Sequence, residues 1–286
     1  MKTDTSFEVS SKIKNVVNKF HGPATGVVFG TYEWATRNAN FIDGCKHDCK
    51  YCYSKAMAIR FGRRKASDWK NEKVRKNNLL KKFSRISGTI MFPSSHDIQP
   101  DYLEYALMFL ENILTPGNTV LIVTKPHWEC IRTICDEFER FKDNILFRFT
   151  IGSSNSDTLR FWEPGAPDFD ERLACLESAY YRGFQTSVSC EPMLDNNIED
   201  VIVRVMPFIT DAIWIGKANA LMQRLRVNDV ADRETIMKAH ELMRWQSDEN
   251  IAALYNRLKD NPQIKWKESV KSIIGIKIPT QKGLDI

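Results

Sequence analysis

Five short apolar runs lie along this chain with a helical pattern after each, and that alternation limits the fold more than anything else in the sequence. They are "GTIMFP" (88–93), "TVLIVT" (119–124), "ILFRFTIG" (145–152), "FQTSVSC" (184–190) and "AIWIG" (212–216). Each is strand-sized and rich in β-branched or aromatic residues, so each reads as a buried strand. Between them come "PDYLEYALMFLENIL", "HWECIRTICDEFERF", "DERLACLESAYYRG" and "IEDVIVRVMPF", whose apolar residues recur at helical spacing. Strands alternating with helices build a parallel sheet in an α/β fold. "ANFIDG" (39–44) adds an earlier strand, making six βα units. Six units predict a partial, open (β/α)6 barrel rather than the closed eight-fold form. After Lys217 the strand pattern stops, and "DRETIMKAHELMRWQSDENIAALYNRLKD" reads as helical. The expected organisation is a barrel unit with an N-terminal extension over 1–225 and a helical C-terminal extension over 226–286.

At 286 residues, 43% apolar and 27% charged, the chain has the composition of a globular protein. Its 41 basic and 36 acidic residues leave a net +5, a mild bias toward anionic partners. "MKTDTSFEVSSKIKNVV" lacks the apolar core of a signal peptide, and no apolar run reaches membrane-spanning length. A cytoplasmic protein without a membrane partner is the expectation. In that reducing compartment seven cysteines do not make a disulfide framework, so clustered ones point to metal or redox work.

Three of the seven stand together in "GCKHDCKYCYSK" (44–55): Cys45, Cys49 and Cys52, spaced Cys-x3-Cys-x2-Cys. A [4Fe–4S] cluster takes four thiolates, so three from one loop leave an iron open to a substrate. Structural zinc wants four ligands, and the remaining cysteines, Cys130, Cys135, Cys175 and Cys190, form no second pair. His47 inside the loop is the candidate to complete a Cys3His site. A redox pair of Cys49 and Cys52 is a third reading, which leaves Cys45 unexplained.

The spacing followed by an aromatic, "CKHDCKYCY", resembles the signature of the radical S-adenosylmethionine (SAM) enzymes. In addition, "VTK" (123–125), "FRFTIGS" (147–153) and "FWEPGAPDFDERLACLESAYYRGF" (161–184) resemble the spore photoproduct lyase branch of that family. The likeness covers roughly residues 35 to 220. It implies a [4Fe–4S] cluster on Cys45, Cys49 and Cys52 whose open iron chelates SAM. Reductive cleavage of SAM would then give a 5′-deoxyadenosyl radical that abstracts hydrogen from a substrate. It also implies a reductant such as flavodoxin or ferredoxin.

Ligands of α/β barrels sit at the C-terminal ends of the strands. Those ends carry Ser94, Ser95, His96 and Asp97, then Lys125, then Ser153, Ser154 and Asn155, then Cys190 and Glu191, and finally Lys217 and Asn219. The lyase resemblance makes Ser95, Lys125 and Ser153 the SAM contacts, with Ser94 competing with Ser95. Lys125 suits the SAM carboxylate and the hydroxyls suit its remaining polar groups. The bland readings are a solvated lysine and a Ser-Ser-His-Asp turn. Glu163 of "WEPGAP" is a ligand group or a fixer of its turn. Tyr51 is counted with the cofactor-binding residues, and Glu191 with substrate or adenosine contact.

One departure concerns the lyase cysteine that returns hydrogen to the product radical. The matching position is near Pro93, where no cysteine stands. Cys190 is the candidate substitute, against the plainer reading of a buried core thiol. The lyase's C-terminal segment is likewise unrecognisable after residue 232.

Residues 60–85 carry eleven basic side chains against two acidic ones, with Trp69 and Phe83 as stacking surfaces. That is the footprint of a DNA or RNA contact, or else a solvated face. Bases in a duplex must be extruded before chemistry, which an open barrel with a basic rim would allow. The leading reading is thus a radical SAM enzyme acting on a nucleic-acid lesion or modified base. Modification of a peptide or small metabolite stands beside it, as does a non-catalytic, zinc-dependent nucleic-acid-binding module.

Overall fold

The computed structural model describes residues 27–284. The stretch read for a signal peptide, and the N-terminal extension up to residue 26, fall outside that range. Strand β1 (Arg37–Asn38) is followed by a small antiparallel pair, β2 (Ile42–Asp43) with β3 (Lys73–Val74). Then come β4 (Thr89–Phe92), β5 (Thr119–Thr124), β6 (Ile145–Thr150), β7 (Gln185–Cys190), β8 (Ile213–Ile215) and β9 (Ile264–Trp266). Seven strands form one sheet in the order β1-β4-β5-β6-β7-β8-β9, every neighbouring pair parallel. The sheet is open, as a partial barrel requires.

The helices are α1 (Tyr53–Arg60), α2 (Lys76–Leu79), α3 (Leu103–Leu114), α4 (Trp128–Glu137), α5 (Ser156–Trp162) and α6 (Phe169–Tyr181). They continue as α7 (Ile198–Val205), α8 (Leu221–Val227), α9 (Arg233–Trp245), α10 (Asp248–Leu258) and α11 (Glu268–Ile274).

Side chains alternate across the sheet and divide its faces. Ile90, Phe92, Ile122, Phe147, Phe149, Val188 and Ile213 pack against Phe109, Ile113, Ile134, Leu176 and Val201 of the covering helices. Each such side chain removed from water contributes on the order of 1.5–3 kcal/mol. Met91, Leu121 and Trp214 face the other way and close around Trp34 and Ala35. On that face Arg148, wholly buried, pairs with Asp211 at 2.8 Å and lies beneath the rings of Trp34 and Trp214.

Two sequence expectations are corrected. The first strand is Arg37–Asn38, not 39–44; Ile42–Asp43 leaves the main sheet to pair with β3 and leads the chain into the cysteine loop. The β pattern does not stop after Lys217 either. The C-terminal region is largely helical as expected, but β9 extends the sheet beside β8, giving seven strands where six were counted. The long helical stretch after Asp232 is two helices, because Asp232 caps α9 through Thr235 N and Ser247 starts α10 by accepting from Asn250 N.

Candidate cluster and cofactor site

The cysteine loop is held by backbone bonds at every turn. Cys45 N–H donates to Trp69 O (3.0 Å), Lys50 N–H to Trp162 O (2.8 Å) and Cys52 N–H to Cys49 O (3.0 Å). Gly44 enters the loop at φ +110°, where a Cβ would stand 2.8 Å from Trp69 O, so the position needs glycine. Cys52 is the N-cap of α1, its sulfur accepting from Lys55 N at 3.3 Å. All three cysteines are free thiols, two buried and Cys52 partly so. Burial pushes each thiol up, and Cys45 is pushed further by Cys49 and Cys52, as Cys49 is by Cys52. Lys125 works against that rise at Cys49 and Cys52.

Behind the loop stands the "EPGAP" turn. Glu163 is wholly buried, 2.6 Å from Arg172, 3.8 Å from Lys125, and accepts a hydrogen bond from the Tyr51 hydroxyl. Gly165 donates its N–H to His47 O at 3.1 Å, and a Cβ there would meet Lys46 O at 2.4 Å. The turn therefore presses backbone to backbone on the cysteine loop. Burial works against the charge on Lys125, but Cys49, Glu163 and Asp97 outweigh it and hold the ammonium raised.

Asp97 ties the loop to β4 and β5. Its carboxylate is 3.0 Å from His47 Nδ1 and accepts from Ile98 N (3.0 Å), from Lys125 N (3.2 Å) and from the Thr124 hydroxyl. Burial opposes its charge, yet His47 and Lys125 hold its carboxyl well below the usual range. The other ring nitrogen of His47 meets His127 Nε2 at 2.9 Å.

A family model described as the radical SAM superfamily matches residues 39–204, more than half of the chain. The chain belongs to the radical SAM superfamily. An "Uncharacterized protein ORF301" from Acidianus two-tailed virus is 24% identical over 249 residues, spanning 80% of each chain. Among solved structures, spore photoproduct lyase complexed with dinucleoside spore photoproduct aligns with a TM-score of 0.51 at 16% identity, covering 74% of this chain. A mutant of the same lyase aligns at 0.50 and 16%. The present chain spans 66% of the length of those lyase chains, and the likeness is one of fold.

The donor set of this radical SAM protein fits a thiolate-held cluster. A tetrahedral structural zinc needs a fourth donor beside the three cysteines. His47, the candidate fourth zinc ligand, has both ring nitrogens engaged by Asp97 and His127. Three soft thiols in one clamped loop, with Lys125 acting on Cys49 and Cys52, suit a thiolate-ligated iron–sulfur cluster.

The strand-end residues divide. Ser94 and Ser95 donate their backbone N–H groups to Asn40 Oδ1 (2.8 and 2.9 Å). Asn40 Nδ2 also donates to the Ser94 hydroxyl, while the Ser95 hydroxyl has no partner among the described residues. Ser153 is fully buried; its hydroxyl donates to Asp195 and accepts from Asn155 N (2.9 Å). Glu191 leans toward Lys267 at 3.5 Å, and burial raises its carboxyl. Cys190 has no exposure and packs in the main core, which favours the plain reading of that thiol.

The basic stretch is sorted differently from its sequence reading. Trp69 is 2% exposed and packs with Cys45 and Ala58, and Phe83 lies against the core under Arg37, so neither is a free stacking surface. Arg64 is buried and donates to the carbonyls of Asp68 and Asn71. Arg63, Lys65, Lys76, Lys81, Lys82 and Arg85 are exposed.

Sequence reasoning missed the Asp97–His47–His127 chain, although "PSSHD" and "KPHWE" both held its members. It also missed Lys267, wholly buried between Glu33 (2.6 Å), Gly30 O (2.9 Å) and Glu191. Arg224 of α8, beside Cys52 and Glu191, carried no signal beyond being an arginine in a short helix. No described helix is long and apolar enough to cross a membrane.

Proposed function

We propose that this radical SAM enzyme acts on nucleic acid, abstracting hydrogen from a damaged or modified nucleotide. Cys45, Cys49 and Cys52 would hold a [4Fe–4S] cluster. When bound and reduced, that cluster supplies the electron that cleaves SAM to methionine and a 5′-deoxyadenosyl radical.

The observation that carries the reading is the setting of the three thiols. Their loop is clamped by Trp69, Trp162 and Gly165, and Lys125 is poised between Cys49 and Glu163. Lys125 binds the SAM carboxylate, already fixed by its Glu163 contact so that little freedom is lost on binding. The unengaged Ser95 hydroxyl takes a polar group of SAM, and Ser153 acts by holding Asp195. Tyr51 keeps Glu163 in place rather than meeting the ligand. Glu191 faces substrate or adenosine, with Lys267 supporting it. Cys190 would return hydrogen only after the barrel opened around it, so another group serves more simply.

The substrate class is supported by the exposed cations of residues 63–85 beside the loop and by the fold shared with a lyase solved with a dinucleoside photoproduct. The electron donor is a small reductant protein of the flavodoxin or ferredoxin type.

The test is anaerobic. Protein reconstituted with iron and sulfide is given SAM and a strong reductant, and 5′-deoxyadenosine is measured by chromatography, with Cys49→Ala as control. Product from wild type and none from the variant is expected. Zinc in place of iron in the reconstituted wild type would end the reading.

A further inference from the structure

Arg224 lies on α8, whose position relative to the cysteine loop is fixed. Asn228, four residues on, donates its side-chain amide to Lys50 O (2.9 Å) and Cys52 O (3.0 Å). Residues four apart share a helix face, so Arg224 looks toward the same loop. Its guanidinium stands 5.4 Å from the centroid of the Tyr53 ring. Glu191, Cys52, Tyr53 and Tyr51 are the groups that act on it electrostatically.

The other cations around the site have partners. Lys125 and Arg172 have Glu163, Lys55 has Asp48, Lys267 has Glu33, and Lys217 has Asp248. The guanidinium of Arg224 makes no hydrogen bond or ion pair among the described residues, although burial depresses its pKa. It stays charged, because an arginine does not give up its proton in a protein. A half-buried, unpaired guanidinium beside the cysteine loop is a cost unless a ligand supplies the anion.

Resting on the nucleic-acid reading, we propose that Arg224 receives a phosphate of the substrate strand beside the cysteine loop. Its planar fork matches phosphate oxygens two at a time. Tyr53, 57% exposed under the guanidinium, offers a face for the neighbouring base. Lys125 stands against Cys49 and Glu163 and Arg224 against the exposed Tyr53, so the two cations divide cofactor carboxylate from substrate phosphate.

Reconstituted wild type, Arg224→Gln and Arg224→Lys are titrated with fluorescein-labelled oligothymidylate at several salt concentrations, and SAM binding is measured on the same samples. The glutamine variant is expected to bind the oligonucleotide about tenfold more weakly, with the salt slope reduced by about 0.7, the share of one phosphate on a single strand. Arg224→Lys falls between, and SAM affinity holds for both. Wild-type oligonucleotide binding and slope in Arg224→Gln overturn the proposal alone. So does a loss confined to SAM, which makes Arg224 a cofactor residue. A wild type that binds no oligonucleotide at all overturns the nucleic-acid reading and this proposal with it. Melting temperatures separate any of these from misfolding.

Discussion

Glu163 Oε2 and Arg172 Nη2 lie 2.6 Å apart with neither side chain reaching solvent. Both belong to one short stretch, "EPGAPDFDER", and the rest of their bonding explains its spacing. Glu163 also holds Tyr51 and Lys125, while Arg172 donates to Pro167 O (2.9 Å) and Thr150 O (3.0 Å). One end of the pair thus grips the cysteine loop and the other the end of β6.

Breaking this pair from one side leaves an uncompensated buried charge. Arg172→Met should destabilise the fold by about 3–5 kcal/mol. Because Tyr51 and the Gly165 turn lose their support, iron retained per chain after reconstitution should fall as well. Thermal melting and iron analysis on one sample check both. A wild-type melting temperature with full iron would refute the role given to the pair.

Within the basic stretch the structure separates neighbours that look alike in sequence. Arg63 and Lys65 are exposed, so Arg63→Gln with Lys65→Gln should leave melting unchanged, within about 0.5 kcal/mol. The same double variant should weaken oligonucleotide binding and lower its salt slope by about 1.4, two phosphates' worth on a single strand. Arg64→Gln should do the reverse. Its guanidinium satisfies the carbonyls of Asp68 and Asn71 beneath the loop, and losing it strands them at about 1–3 kcal/mol. Equal effects of the two variants on melting would contradict the assignment.

Lys267 adds a buried ionic tie between the C-terminal region and the barrel. Its ammonium is wholly buried between Glu33, Gly30 O and Glu191, and 4.0 Å from the Trp34 ring. Lys267→Met leaves Glu33 buried without its cation and should cost about 3–5 kcal/mol. The double variant Lys267→Met with Glu33→Gln should recover part of that loss, since the unpaired charge is gone. Denaturant titration of the four proteins of this cycle measures the coupling, and strict additivity would show that the two do not act as a pair.

How much of this was legible depended on length and on local pattern. Strands β5, β6 and β7 each run six residues with both faces covered, so their apolar runs were visible. The β1 strand is two residues long, "RN", and β9 is three, "IKW", in a lysine-rich stretch. Neither offers a periodicity to read; pairing with β4 and β8 makes them strands. The cysteine trio was legible because its members lie within eight residues of one another. The partners that fix it are not, since Asp97, His127, Glu163 and Asn228 arrive from four separate loops or helix ends. Trp69 and Arg64 misled because composition shows charge and aromaticity but not which way a side chain turns.

The half-buried carboxyl of Glu72 sets a pH dependence. Burial raises it to about 7, opposed by the Lys46 N–H that it accepts at 3.1 Å. Its folded pKa lies above its ordinary value of 4.5, so the folded state binds the proton more tightly than the unfolded chain. The stability this contributes is complete below about pH 4.5 and is lost as pH rises through 7. His96 runs the opposite way: burial lowers it to about 4, so its contribution is lost as pH falls from 6.5. The two windows overlap, and wild type alone would hide both. Glu72→Gln keeps an acceptor for Lys46 N and removes the titration. Melting of variant and wild type should therefore diverge with rising pH, the variant gaining most near pH 8, while the loss on the acid side persists in both. A difference in melting temperature that is the same at about pH 5 and pH 8 would show that Glu72 does not titrate in the fold.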